Sequence, residues 1–81
     1  MEVRLKKQPK KYLDSVDAAT RKKLYKALDG LAKFKGDIKR IQGKDNMYRL
    51  KIAHYRFLFS VDLDGQIIIV STINTRTNIK Y

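Results

Sequence analysis

The chain has no cysteine, no tryptophan, one proline, one histidine and four glycines in 81 residues. Without cysteine there is no disulfide staple and no thiolate metal site, a composition that suits a reducing compartment. No grouping of histidine with carboxylates suggests a metal either, so neither metal nor other cofactor is expected. Long apolar runs are also missing: none approaches the ~20 residues needed to cross a bilayer. The opening segment "MEVRLKK" lacks the apolar stretch of a signal peptide. These absences predict a soluble, cytoplasmic protein with no membrane partner.

Carboxylates are scarce as well. Eight Asp and Glu stand against nineteen Lys and Arg, leaving a formal charge of +11. Such an excess repels itself in the compact state and attracts polyanions. Nucleic acid is the first partner to consider, ahead of an acidic protein or a membrane surface. Solubility alone does not require so large an imbalance of sign. The length predicts one domain, residues 1–81, with a thin core, because a chain of this size buries only about 60% of its unfolded surface.

What is present is patterned. Val3 to Lys6 alternates apolar and basic residues and predicts a short strand. Pro9 suits a helix start, with Tyr12, Leu13 and Val16 on one face. Asp17 is placed to cap a second, longer helix whose buried stripe is Leu24, Leu28 and Leu31, with Ala27, Ala32 and Phe34 beside it. Arg21, Lys22, Lys23, Lys26 and Lys33 fall mostly on its other sides, facing water or RNA. Gly30 lies inside this helix, where it costs about 1 kcal/mol relative to Ala, and could permit close packing. Gly36 is the expected stop. The short link predicts an antiparallel helical hairpin.

From Met47 the period becomes two. Asp64-Gly65 suits a two-residue type I′ turn, and "QIIIVSTI" is a β-branched strand. The predicted order is β-α-α-β-β-β: an α+β fold with two N-terminal helices, paired as a hairpin, on one face of a small antiparallel sheet. On that register Ile67, Ile69 and Ile73 lie opposite Ile68 and Val70, forming a second apolar row that needs a cover.

The segment "MYRLKIAHYR" sets three cations among bulky apolar residues. If Ala53-His54 is a two-residue turn, Ile52 faces Tyr55, Leu50 faces Phe57 and Tyr48 faces Phe59. On the reverse face Lys51 then opposes Arg56, with Arg49 two residues along. Like charges directly opposed destabilise a sheet, and an anion between them removes the penalty. The cluster is either a phosphate clamp or a solvated outer face. Arg76 beyond the last strand and the terminal Tyr81 favour the clamp, since single-stranded RNA needs cations for phosphates and a ring for a base. His54 reads as an exposed turn residue, Asp62 and Asp64 as turn formers, and Tyr12, Tyr25 and Tyr48 as core or helix-face residues.

The stretch "IKRIQGKDNMYRLKIAHYRFLFSVDLDGQIIIVSTINTRTNIKY" resembles the C-terminal half of the RelE/ParE toxin superfamily. It carries an Ile-x-Gly element, then Tyr-Arg-Leu-Lys, then Tyr-Arg before an aromatic-aliphatic strand. "QPKKYLDSVDAATRKKLYKALDGL" is similar to the paired helices of that family in layout. The resemblance implies a RelE-like toxin: a metal-independent endoribonuclease that cleaves mRNA in the ribosomal A site and inhibits translation. Its partners would be the ribosome, mRNA and a RelB-like antitoxin, with a toxin–antitoxin heterotetramer as the assembly. The alternative is a ParE-like toxin that inhibits DNA gyrase without cutting RNA. By position the resemblance implies Lys51, Arg56, Arg76 and Tyr81 as catalytic residues, with Arg49 and Lys80 binding RNA. Arg56 would clamp the scissile phosphate, since a guanidinium binds phosphate bidentately. Lys51 is the candidate base, its charged form disfavoured by Arg49 and Arg56. Arg76 would stabilise developing charge. Lys80 stands where some members have a histidine, and no glutamate matches the one those members use. The net charge and the spare apolar row call for an antitoxin segment with acidic and apolar residues laid along the sheet.

Overall fold

A period of two at both ends of the chain, and of 3.6 between them, resolves into β1 (Glu2–Leu5), α1 (Lys7–Ser15), α2 (Ala18–Leu31), β2 (Asp37–Arg40), β3 (Met47–Ile52), β4 (Tyr55–Val61) and β5 (Ile67–Thr75). The computed structural model describes residues 1–62, 64–75, 77 and 78. The five strands lie in the order β1-β5-β4-β3-β2, and both helices cover one face, as the alternation predicts. The sheet is mixed, not wholly antiparallel. β1 joins β5 in parallel, Glu2 beside Ile67 through Leu5 beside Val70. β2 is an additional edge strand, antiparallel to β3.

Most helix ends are satisfied locally, although no side chain caps the start of α1 at Lys6. Pro9 sits in the first turn of α1, where its missing N–H is one of the orphan donors anyway. The Asp17 carboxylate accepts from the Thr20 N–H at 3.0 Å and caps α2. Hydrogen bonding from Thr20 holds this carboxyl below its ordinary range, with Arg21 contributing the same way. Arg21 does not face solvent as expected. Its guanidinium donates to the carbonyls of Leu13 at 2.7 Å, Val16 at 2.9 Å and Asp14 at 3.3 Å. It thus occupies carbonyls that α1 leaves unpaired at its C-terminus and fixes the corner between the helices.

The end of α2 departs from expectation. The Lys35 N–H donates to Gly30 at 2.9 Å and the Phe34 N–H to Leu31 at 2.8 Å, a Schellman pattern with Phe34 in the left-handed position, φ 54°. Phe34, not Gly36, ends the helix. Its ring makes edge contacts with Tyr48 at 5.8 Å and Phe59 at 6.2 Å, which offset a backbone conformation that disfavours a bulky residue. Gly36 has a different task. It sits at φ 128°, and a Cβ there would lie 2.7 Å from Leu50 Cδ1. A Cβ on Gly30 would meet the Lys35 carbonyl at an ordinary 3.5 Å, so close packing does not require that glycine.

The β3–β4 hairpin has the expected register: Ile52 beside Tyr55, Lys51 beside Arg56, Leu50 beside Phe57 and Tyr48 beside Phe59. The β4–β5 connection closes differently. Gly65 alone is left-handed there among the described residues, at φ 68°. Its N–H donates to Asp62 O at 2.9 Å, while the Asp62 carboxylate accepts from Gln66 N–H at 2.8 Å. Asp62 and Asp64 are turn residues, as read. Further along, Leu58 pairs with Thr72 but Phe59 with Val70. Ser71 is therefore an extra residue, a bulge, and Ile73 moves to the helix-covered face. The spare row is consequently Ile67 and Ile69 without Ile73.

Gln8 supports β5 beyond the end of β1. Its side-chain amide accepts from the Ile73 N–H and donates to the Ile73 carbonyl, both at 2.9 Å, substituting for one rung of a neighbouring strand. The core under the helices joins Leu13, Leu24, Leu28 and Leu31 to Leu50, Phe57, Phe59, Ile68, Val70 and Ile73. Burial of each such side chain contributes roughly 1.5–3 kcal/mol.

Candidate nucleic-acid interface

The face turned away from the helices carries the polar alternates of every strand. One row across it reads Asp37 on β2, Lys51 on β3, Arg56 on β4 and Asn74 on β5. The next reads Lys39, Arg49, Leu58 and Thr72. Two like-charge pairs, Lys51–Arg56 and Lys39–Arg49, therefore stand side by side. Among the described residues the Glu2–Arg4 contact is an ion pair, and none joins these cations to a carboxylate.

Burial separates their roles. Lys51 is exposed and Arg49 half-buried. Arg56 is only 6% exposed, the one charged residue among the described residues to be so buried. It is not an edge charge, since β4 is the central strand. Arg56 Nη1 donates to the Tyr55 carbonyl at 3.0 Å, engaging one of five guanidinium N–H donors. A buried cation without a carboxylate is costly, although among the described residues no buried side-chain nitrogen or oxygen lacks a hydrogen-bond partner. Beside this face Lys39, Arg40, Ile41 and Arg49 line a shallow depression of about 220 Å³.

His54 lies exposed in the hairpin turn, after Ala53 at φ 51°. Tyr12 and Tyr48 are half-buried against the core, and Tyr25 is 47% exposed. Burial first, and the nearby Tyr55 second, push the Tyr12 phenol up, so it stays neutral. Arg76, Lys80 and Tyr81 lie outside the described residues. The structure thus brings Arg49, Lys51 and Arg56 together and adds Lys39 and Asp37. Both additions stand on β2, which the sequence pattern does not reveal, because Ile38 is its single apolar residue between Asp37, Lys39 and Arg40.

No protein-family model matches the chain. It is 41% identical over 46 residues to the RelE1 protein of Methanocaldococcus jannaschii, a match spanning 57% of this chain and about half, 51%, of that relative. Among solved structures, the RelE of a RelB–RelE antitoxin–toxin complex from Methanococcus jannaschii superposes with a TM-score of 0.71 at 26% identity, over 91% of each chain. The archaeal RelE–RelB complex of Pyrococcus horikoshii gives 0.74 at 22% identity, over 96% of this chain and 97% of that one. Isolated RelE of E. coli shares the fold at 16% identity, with a TM-score of 0.73. The chain thus has the fold of the RelE toxins and is similar in sequence to RelE1 over a little more than half of its length. In this RelE-like chain the cation rows stand on β2, β3 and β4 and leave the helical layer on the far side. Among the described residues no cluster of His, Cys, Asp and Glu could hold a metal ion, and no helix is long and apolar enough to cross a membrane.

Proposed function

We propose that this RelE-like chain is a ribosome-dependent endoribonuclease that cuts mRNA in the ribosomal A site and so halts translation in the cytoplasm. The observation that carries the reading is the paired cation rows, Lys51–Arg56 beside Lys39–Arg49, on the sheet face that the helices leave open.

Three tasks must be met for the ribose 2′-oxygen to displace the 5′-oxygen. A proton leaves the 2′-OH, the phosphate is held in line, and the leaving oxygen gains a proton. Arg56, anchored from Tyr55, clamps the phosphate with its remaining donors. Arg49 binds a neighbouring phosphate. Lys51, exposed beside Arg56, serves proton transfer. Arg76 stabilises the developing charge and Tyr81 stacks on a base. Lys80 supports the RNA backbone. None of these steps calls for a metal. An open sheet face binds phosphates but does not bend an RNA strand into the in-line geometry. The ribosome supplies that constraint by holding the mRNA.

The solved relatives from both archaea are complexes with RelB, which supports a RelB-like antitoxin as the partner here, in a toxin–antitoxin heterotetramer. The test is incubation with mRNA, with and without programmed ribosomes, and mapping of the cut positions. Cuts in the A-site codon that appear only with ribosomes are expected. Efficient cleavage of naked RNA overturns the ribosome requirement. Inhibition of gyrase supercoiling without any RNA cleavage overturns the nuclease reading in favour of a ParE-like toxin.

A further inference from the structure

The polar row across the open face does not begin with a cation. It begins with Asp37, exposed at the start of β2, in direct cross-strand register with Lys51. β2 is an edge strand, so Asp37 is faced from a neighbouring element only by β3, through Lys51. Lys39 is the next outward residue on its own strand, and Arg56 lies one strand beyond Lys51. Of the other carboxylates on or beside the sheet, Glu2 is committed to Arg4 and Asp62 to the Gln66 N–H, while Asp45 lies in the β2–β3 connection at the far end of β2. Directly opposed side chains have Cβ atoms about 4.5–5.5 Å apart. One carboxylate, one ammonium and one guanidinium thus stand within reach of a single phosphodiester.

We propose that Asp37 is the proton acceptor for the ribose 2′-OH and that Lys51 is the proton donor, an inference that rests on the nuclease reading above. A carboxylate is the group of this row that can accept a proton, and an ammonium is one that can donate it. The 2′-OH proton passes to the Asp37 carboxylate as the 2′-oxygen bonds to phosphorus. The bond from phosphorus to the 5′-oxygen breaks, and that oxygen takes a proton from the Lys51 ammonium. The products are a 2′,3′-cyclic phosphate and a 5′-hydroxyl. Asp37 is left protonated and Lys51 neutral. Solvent then takes the proton from Asp37 and returns one to Lys51, and the pair is reset. Arg56 holds the phosphate throughout and changes no protonation state.

The experiment is a single-turnover pH–rate profile on programmed ribosomes, with ribosome binding measured in parallel, for the native chain, Asp37→Asn and Asp37→Glu. A well-placed general base is worth roughly 10²–10⁴-fold. Asp37→Asn should therefore lose about a hundredfold or more at neutral pH, keep its ribosome affinity, and lose the acidic limb of the profile. Asp37→Glu should recover part of the rate together with that limb. A merely structural or edge-protecting carboxylate would leave the limb unchanged. Native cleavage with Asp37→Asn equally fast, or with its acidic limb intact, overturns the assignment while the nuclease reading stands. No cleavage by the native chain overturns both. If Asp37→Asn does not fold, as judged by circular dichroism, Asp37→Glu alone decides: a rate and limb like the native support the assignment, and loss of the limb overturns it.

Discussion

Arg56 shows how a single side chain can work against the fold that holds it. It is nearly buried in the central strand and opposed across the ladder by Lys51, and both circumstances cost stability. Its replacement by a neutral chain of similar length separates fold from function. Arg56→Met should leave thermal stability unchanged or raise it by up to about 1 kcal/mol. The same variant should lose at least tenfold in cleavage, equivalent to about 1.4 kcal/mol of transition-state stabilisation. A melting curve and a cleavage time course on one preparation check both halves. If the variant cuts at the native rate, the row is a solvated sheet face. Tyr81 calls for the converse comparison. Base stacking is worth about 1–3 kcal/mol per ring, and a phenol with an ordinary pKa near 10 is a poor base at neutral pH. Tyr81→Ala should lose roughly ten- to hundredfold in cleavage and Tyr81→Phe should retain most of it. A Phe variant as inactive as Ala would assign the function to the hydroxyl.

At the scale of elements, two glycines near the end of α2 predict effects of opposite sign. Gly30→Ala gains helix propensity and meets no close contact, so it should stabilise by about 0.5–1 kcal/mol. Gly36→Ala forces a Cβ against Leu50 Cδ1 at a left-handed backbone position. Leu50 is 2% exposed and has little room to yield, so a loss of about 1–3 kcal/mol is expected. Chemical denaturation of the two variants checks the pair. The Asp17 cap adds a dependence on pH. Because the fold lowers this carboxyl's pKa, its contribution is complete above the ordinary carboxylate range and is lost as pH falls through the lowered value. Asp17→Asn keeps an oxygen acceptor and should flatten that part of a stability–pH curve. These elements also mark what the sequence could reveal. The helices and the β3–β4 hairpin were legible, because caps, a buried leucine stripe and strict alternation agree there. The bulge at Ser71 left no glycine to signal it, and Phe34 took a position where propensity favours glycine, because its ring gains contacts visible only in three dimensions. β2 was hidden by its length and polarity, and with it Lys39, one of the four paired cations, and all of Asp37. The site was legible where it shares a hairpin with the core, through Lys51 and Arg56, and illegible where a distant edge strand completes it.

The whole molecule separates two kinds of surface on its open sheet face. Cations gather toward the β3–β4 turn, with Leu58 in the second of their rows, and Met47, Ile67 and Ile69 lie toward the other end, with Ser60 among them and Glu2 and Arg4 beside the two isoleucines. A net charge of +11 spread over so small a body acts at long range. Each phosphate contact then releases counterions, so RNA and ribosome binding should weaken steeply between 50 and 200 mM salt, by roughly 10³-fold or more if about six contacts form. A RelB-like antitoxin segment with acidic and apolar residues matches the same face at both ends. Its burial of the apolar end depends little on salt, so the antitoxin should hold on where RNA lets go. Three measurements test this together: the salt slope of ribosome binding, the salt slope of antitoxin binding, and cleavage by the assembled pair. The first slope should be much the steeper. Antitoxin at a hundredfold excess over its dissociation constant should stabilise the toxin by about 2.7 kcal/mol and abolish cleavage. A complex that keeps full nuclease activity would place the antitoxin away from the cation rows. Equal salt slopes would mean that it is held by the cations alone, without the apolar end.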